Sequence, residues 1–172
     1  MQDFHQAFGL AFSLVLGADE DLLEIISLSL RVSFSAIVIA CAIGFPLGAA
    51  IGMARFKGRS GVIILLNALM GLPPVVVGLF LYMLLSNAGP LGWMQLLYTP
   101  SAMIIAQSVL ITPIVAALTR ELVEQLNNEY AELFLSMRVS PVVAAWTLIW
   151  DARYSLLTGA LAGVGRAVAE VG

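Results

Sequence analysis

Charged residues are scarce in this chain. Of its 172 residues, 11% are Asp, Glu, Lys or Arg and 60% are hydrophobic, whereas about 25% of the residues in a soluble domain are charged. The stretch from Gly61 to Thr119 contains no charged residue. This lack of charge excludes an ordinary soluble domain and predicts a protein that crosses a membrane.

Residues that support covalent chemistry or nucleic-acid binding are also missing. Cys41 is the only cysteine and His5 the only histidine, so the sequence offers no Cys/His cluster for a metal ion and no intrachain disulfide. It contains no Gly-Lys-Ser/Thr phosphate loop and no Gly-x-Ser-x-Gly elbow. No basic patch could neutralise the phosphates of nucleic acid. We therefore expect no catalytic residue, cofactor or metal ion in the chain, and no nucleic-acid partner.

Four apolar stretches approach or exceed the length that crosses a membrane core of about 30 Å at 1.5 Å per residue. They lie at about residues 25–53, 61–85, 99–119 and 154–172. Residues 1–24 are acidic, and their apolar part is too short to cross, so we interpret them as a segment on the outer face. We expect residues 25–172 to form one membrane domain, and we expect its fourth span to be incomplete, because the sequence ends at Gly172 after about 19 residues of that span.

Basic residues set the expected orientation. Arg55, Lys57 and Arg59 follow the first span, and three more arginines lie in residues 120–153, after the third span. Cytoplasmic loops carry an excess of Lys and Arg. Both loops are therefore expected in the cytoplasm, and the N-terminus outside.

The polar segment at residues 120–153 holds eight of the 19 charged residues. Asn127 and Asn128 are expected to cap a short helix over about residues 128–137. Carboxylates in the first turn of such a helix favour the positive end of its dipole. Those carboxylates are Glu129 and Glu132.

A second short helix is predicted after Ser140. Ser140 is a favourable N-cap, and Pro141 suits the first helical position. Trp146 and Trp150 follow at helical spacing, and tryptophan is enriched at membrane–water boundaries. We predict a helix-turn-helix that lies flat against the membrane.

The second span contains residues that interrupt helices. Pro73, Pro74 and Gly78 fall near its middle, where unsatisfied backbone groups are tolerated only inside protein or beside a water-filled path. Broken helices of this kind line binding sites in transporters. We interpret the three residues as part of a translocation path or gate, and a kink that only packs is the alternative.

The fourth span carries two opposite charges, Arg166 and Glu170, one helical turn apart. Charges at that depth are costly and usually face the interior of the helix bundle. The two side chains are expected either to form an ion pair or to act in the anion path or its gate.

A stripe of small residues repeats every four positions along the first span. In lipid, such a stripe lets a second helix approach closely. We interpret it as a packing face, with a role in transport as the alternative. Its members are Ala36, Ala40, Gly44, Gly48 and Gly52.

Several short stretches together carry a resemblance to a known family. They are residues 29–33 (SLRVS), 70–78 (MGLPPVVVG), 89–92 (GPLG) and 165–172 (GRAVAEVG). They are similar to the membrane subunits of binding-protein-dependent ABC importers, and most like the tungstate-type oxyanion permeases. In the polar segment, Glu132-Leu133-Phe134 takes the place of the family's Glu-Ala-Ala, and Arg138 the place of its glycine.

The resemblance implies a fold and a set of partners. The fold is all-α and integral to the cell (inner) membrane: a MetI-like transmembrane helix bundle with a cytoplasmic coupling-helix loop. The implied partners are a second copy of the permease, an ABC ATPase subunit that holds Mg-ATP, an extracytoplasmic oxyanion-binding protein and membrane lipid. The family continues through at least one further span, so we expect the sequence to be truncated.

The resemblance also implies site residues and leaves the substrate open. The residues expected to couple to the ATPase are Glu129, Glu132, Leu133, Phe134, Arg138 and Ser140. Tungstate is the expected substrate, with molybdate and sulfate as alternatives because all three are dianions of similar shape. A membrane scaffold that recruits a partner without transport is the second hypothesis.

Overall fold

A computed structural model describes residues 20–171, except for the side chains of residues 20, 21, 162, 164 and 166–171. Every regular element in this range is helical, as predicted. The helices are α1 (Glu20–Met53), α2 (Arg59–Met70), α3 (Pro74–Leu85), a short 3-10 turn (Gly92–Met94), α4 (Pro100–Glu129), α5 (Ala131–Ser136), α6 (Pro141–Asp151) and α7 (Arg153–Val171).

Helices α1 and α4 form the centre of the bundle. Ala36 contacts Ser108, Gly44 lies against Val115, and Gly52 lies against Arg120 and Val123. Residue numbers rise together on both helices, so the two helices run parallel. A Cβ atom added at Gly48 would lie 2.5 Å from the Ala116 carbonyl oxygen. The stripe of small residues therefore lies in a close helix–helix interface.

The second apolar stretch is broken into two helices. Gly71 ends α2, Pro73 precedes α3 as its N-cap, and Pro74 is its first residue. The axes of α2 and α3 differ by 98°. By length and composition, α1 and α4 could each cross a membrane, and α2 with α3 could form a third span, within the described residues.

The third apolar stretch belongs to a longer helix than expected. Instead of ending near residue 119, α4 continues to Glu129, which makes it about 45 Å long at 1.5 Å per residue. The predicted cap at Asn127 and Asn128 is wrong, because both residues lie inside the last turns of α4. Packing of Val123 and Leu126 against the loop that follows carries the helix through them.

Helix α7 packs against the central helices α1 and α4. Gly159 lies next to Leu118, and Gly163 lies next to Ile111, so α7 runs antiparallel to α4. Arg166 and Glu170 belong to α7, but their side chains lie outside the described part of the structure. Their predicted ion pair or gating role stays a prediction.

Candidate functional site

The first ten residues of the polar segment complete α4, and the rest fold mainly into α5 and α6, two short helices that follow it. Ser140 is the N-cap of α6, and its hydroxyl oxygen accepts a hydrogen bond from the Val143 amide at 3.5 Å. Pro141 is the first residue of α6. The predicted start of the second short helix is therefore confirmed.

The inner face of this loop is part of the protein core. Leu148 of α6 is fully buried with Val123 of α4 and Ala49 of α1, and Phe134 of α5 packs on this cluster. One hydrophobic cluster therefore joins the loop to both central helices. Trp146 and Trp150 of α6 are exposed in the single chain and take no part in this cluster, and their expected place at the membrane–water boundary stays a prediction.

A hydrogen bond closes the loop at its ends. The hydroxyl group of Tyr130, which separates α4 from α5, donates to a carboxylate oxygen of Asp151 at the end of α6, with an O···O distance of 3.0 Å. This hydrogen bond and the negative charge of Asp151 raise the pKa of Tyr130. The ring of Tyr130 also lies 5.9 Å from that of Phe134. The Tyr130–Asp151 hydrogen bond thus joins the two ends of the loop, and the cluster around Leu148 holds its middle.

The turn after α5 uses the left-handed backbone conformation. Arg138 has φ of 50°, its amide donates to Leu135 at 3.3 Å, and the Val139 amide donates to Phe134 at 3.1 Å. These two bonds form a Schellman motif, in which the left-handed position usually holds glycine. Arg138 is also the residue at the family's glycine position, so the local geometry explains why a glycine suits that place.

The outer face of the loop is an exposed ridge. Leu133 of α5 and Met137, the C-cap residue that follows this helix, lie four residues apart and are both exposed. Glu132 and Arg138 flank them and are exposed as well. Among the residues predicted to couple to an ATPase, Phe134 alone is turned toward the bundle; the exposed ones are Glu129, Glu132, Leu133, Arg138 and Ser140.

An ion-pair network joins three helices at the same end of the bundle. Arg59 at the start of α2 donates to the carbonyl oxygens of Ile51 and Gly52, near the end of α1, at 3.0 and 3.3 Å. Its guanidinium also pairs with Glu124 of α4 at 2.9 Å, and Arg120 pairs with the same carboxylate at 2.9 Å. Only the Arg120–Glu124 pair, four residues apart, could have been read from the sequence.

Two of the predicted path residues, Pro73 and Pro74, lie at the break between α2 and α3. Pro73 and Gly78 are exposed in the single chain, and Pro74 is half-buried. Gly78 is not in the break itself: it lies within α3, and an added Cβ atom would meet nothing within 4 Å. The neighbouring apolar residues Val75 and Leu79 are also exposed, as are Val76 and Phe80, so most of the surface of α3 is open in the single chain.

Polar groups in the α1–α4 interface are few and small. Ser108 donates to the Ile104 carbonyl oxygen at 2.7 Å, which is a bond within α4, and lies 3.4 Å from the carbonyl oxygen of Ala36. The hydroxyl of Ser33 is buried and has no hydrogen-bond partner among the described residues. No group of three or more His, Cys, Asp or Glu side chains within the described range could hold a metal ion.

These features together define an integral membrane protein of several apolar helices with a structured loop at one end. The chain matches the family described as "Binding-protein-dependent transport system inner membrane component" over residues 44–169. It belongs to this family. The resemblance and the MetI-like fold predicted from the sequence are confirmed, and the chain is the membrane component of such a transport system.

Three curated relatives are similar over most of the chain. A "Probable anion ABC transporter permease protein" of Haloferax volcanii is 36% identical over 88% of this chain and 65% of its own length. The "Tungstate uptake system permease protein TupB" of Peptoclostridium acidaminophilum is 35% identical over all of this chain and 75% of its own length. The protein of the same name from Campylobacter jejuni is 39% identical over 96% of this chain and 69% of its own length. The chain thus spans about two thirds to three quarters of these relatives.

Proposed function

We propose that this chain is the pore-forming subunit of an ABC importer for tungstate. The observation that carries the proposal is its identity of 35% and 39% to two permeases of tungstate uptake systems, over nearly the whole chain. Two copies of the chain enclose the pore, and an external binding protein delivers the oxyanion. A partner subunit in the cytoplasm binds Mg-ATP and hydrolyses it.

The proposed orientation places the N-terminus outside the cell. The proposed membrane domain is residues 25–172; most of the segment predicted on the outer face, residues 1–19, lies outside the described residues, and residues 20–24 begin α1. Because α1 and α4 are parallel, their C-terminal ends lie on one side of the membrane. Basic residues concentrate at that side, which supports its assignment to the cytoplasm. They are Arg55, Lys57, Arg59, Arg120, Arg138 and Arg153.

The α5–α6 loop is the proposed docking site for the ATPase. Its exposed ridge of Leu133 and Met137, flanked by Glu132 and Arg138, supports this role. Glu129, the last residue of α4, and Ser140, the N-cap of α6, are exposed on the two sides of α5 in sequence. In the proposed mechanism, the ATPase shifts the transporter out of its inward-facing state. Shifting such an equilibrium from 1:99 to 99:1 takes about 5.5 kcal/mol of differential interaction. The loop has to be rigidly connected to the spans if this free energy is to move them. The cluster around Leu148 supplies that mechanical connection, with Phe134 as its member on α5.

The surface at the break between α2 and α3 is proposed to line the translocation path. Pro73, Pro74 and Gly78 contribute to it from one side, and Arg166 and Glu170 of α7 form part of the path or its gate. The open space beside Gly78 supports this placement.

Cysteine labelling tests the path in a chain whose only cysteine has been changed by Cys41→Ser. Gly78→Cys is expected to react with a water-soluble maleimide in the assembled transporter. Phe80→Cys is the matched control, because it is two residues further along α3 and therefore faces nearly the opposite side. Equal labelling at both positions, or labelling of Phe80→Cys alone, would contradict the path assignment.

Uptake in proteoliposomes tests the function as a whole. The full-length subunit, its ATPase and its binding protein are reconstituted together, and ATP-dependent uptake of radiolabelled tungstate is followed with molybdate and sulfate as competitors. Tungstate is expected to accumulate and to compete at the lowest concentration. Preferential uptake of molybdate or sulfate would contradict the substrate, and no uptake of any oxyanion by an intact complex would favour the scaffold hypothesis.

A further inference from the structure

An open apolar groove lies between α1 and the α5–α6 loop. Its larger part has a volume of about 1360 Å³, and a second part of about 330 Å³ extends toward α7. Both parts are lined by Cys41, Phe45, Trp146 and Ile149. They therefore form one continuous groove along the side of α1, on the opposite side of α5 from the ridge of Leu133 and Met137.

Among the described residues, the groove is lined by two positive charges and by no negative charge. Arg55 lines the larger part and Arg153 the smaller part, and no Asp or Glu lines either part among the described residues. The ion pairs recorded between described side chains all involve Glu124, with Arg59 and Arg120. Among the described residues, Arg55 and Arg153 thus have no carboxylate partner. The groove therefore complements a ligand that is mostly apolar and carries an anionic group.

Arg153 is held in place for such a group. Its Nη1 atom donates to the Trp150 carbonyl oxygen at 2.8 Å, and its guanidinium carbon lies 5.1 Å from the Trp150 ring centroid and 4.5 Å from that of Tyr154. Cation–π contacts of this kind orient a guanidinium. The hydrogen bonds recorded for Arg153, to Trp150 and to the Tyr154 hydroxyl, use two of its five N–H hydrogens, so others remain for a phosphate oxygen.

The position of the groove identifies the ligand class. Its long wall is α1, a helix apolar enough to cross a membrane, and its lining includes Trp146 and Trp150, residues of a type enriched at the membrane–water boundary. Basic pockets between transmembrane helices on the cytoplasmic side bind anionic lipid headgroups. We propose that this groove binds an anionic phospholipid, with its acyl chains against Phe45 and Ile149 and its phosphate at Arg153. The assignment to the cytoplasmic leaflet rests on the orientation proposed above.

Native mass spectrometry of the full-length permease in complex with its ATPase tests this site. The complex is exchanged into mixtures of phosphatidylglycerol and phosphatidylcholine, and the retained lipids are counted. The wild-type complex is expected to retain phosphatidylglycerol preferentially. Arg153→Gln should reduce this retention about fivefold, which corresponds to about 1 kcal/mol for one basic side chain near an anionic membrane surface, and Arg153→Lys should preserve most of it.

Two further variants separate the headgroup from the acyl chains. Arg31→Gln removes the same charge near the other end of α1, where Arg31 is exposed, and should retain phosphatidylglycerol as the wild type does. Ala160→Phe adds a ring to the smaller part of the groove, which Ala160 lines, and should reduce retention of both lipids. Equal melting temperatures in lipid-free detergent establish that each variant is folded.

Three outcomes would overturn the proposal. The first is an absence of preference for phosphatidylglycerol in the wild-type complex, and the second is equal retention by the wild type and Arg153→Gln. In the third, Ala160→Phe leaves the lipid count unchanged but weakens assembly with a second copy, a further segment of a longer chain or the ATPase. That result would show that protein, and not lipid, fills the groove. None of these measurements uses tungstate, so failure of the proposed transport activity and failure of the lipid site are distinguishable.

Discussion

The α1–α4 interface and the open face of α3 have similar apolar compositions but opposite environments. Ala40 and Ala116 are fully buried between the two central helices, whereas Val75 is 80% exposed on α3. The loop repeats this contrast within one short helix, because Leu148 of α6 is fully buried and Trp146 is 69% exposed. Apolar character therefore identifies the membrane protein, and burial separates the residues that hold it together from those that face lipid or a partner.

The largest expected effect is at Leu148. Leu148→Ala removes a fully buried side chain from the cluster that joins α6 to α1 and α4, and should lower the free energy of unfolding by about 2–5 kcal/mol. Unfolding by SDS titration in detergent micelles measures the change. Trp146→Ala is the control on the same helix, and a loss as large there as at Leu148 would erase the contrast between the two faces.

The next effect is expected in the close helix pair. Gly48→Ala places a Cβ atom 2.5 Å from the Ala116 carbonyl oxygen and 2.6 Å from Thr119 Cβ, so the helices have to move apart at a cost of about 1–3 kcal/mol. The same SDS titration measures it. Gly61→Ala is the matched control, because a Cβ atom there meets nothing within 4 Å. An unchanged Gly48→Ala protein would mean that α1 and α4 are not in such close contact.

A smaller effect is expected at the ion-pair network. Arg59→Met removes two hydrogen bonds to the end of α1 and the ion pair with Glu124, and should cost about 1–2 kcal/mol. Lys57→Met removes a charge from an exposed neighbour and should change stability little. The difference should shrink in high salt, since partly exposed ion pairs are screened. Equal effects of the two variants would show that the network does not join the three helices.

The smallest effect is expected at Ser33. Its buried hydroxyl has no partner among the described residues, so Ser33→Ala removes a polar group whose desolvation is not compensated. We expect stability to be unchanged or higher, by at most about 1 kcal/mol. Ser108→Ala is the comparison, because it removes a hydroxyl that does donate a hydrogen bond. A clear loss of stability in Ser33→Ala would show that this hydroxyl has a partner.

The features that could be predicted from the sequence depend on local chemistry or on length. A long stretch without charge predicts apolar spans wherever it occurs, and a Ser-Pro pair predicts a helix start because cap and first turn are adjacent. Ser140 and Pro141 begin α6 for this reason. The break at Pro73 and Pro74 could be predicted for the same reason, because proline lacks the backbone N–H that the interior of a helix uses for its hydrogen bonds.

The features that could not be predicted depend on contacts between distant parts of the chain. Asn127 and Asn128 have cap chemistry, but α4 continues through them because Val123 and Leu126 pack against the loop. Helix propensity is a weak prior that such packing overrides. The inward face of Phe134 likewise depends on a cluster drawn from four helices, and the role of Arg59 depends on Glu124 of α4, which lies 65 residues away in sequence.

The central claim is that the loop binds the ATPase with its outer ridge and the membrane bundle with its inner face. Photo-crosslinking tests it in the assembled complex, with Cys41→Ser as the background and a benzophenone attached at Met137→Cys or Trp146→Cys. Both native side chains are exposed, but Met137 lies on the ridge and Trp146 lines the groove. The account predicts crosslinks to the ATPase from Met137→Cys and none from Trp146→Cys. Crosslinks from Trp146→Cys alone would contradict it.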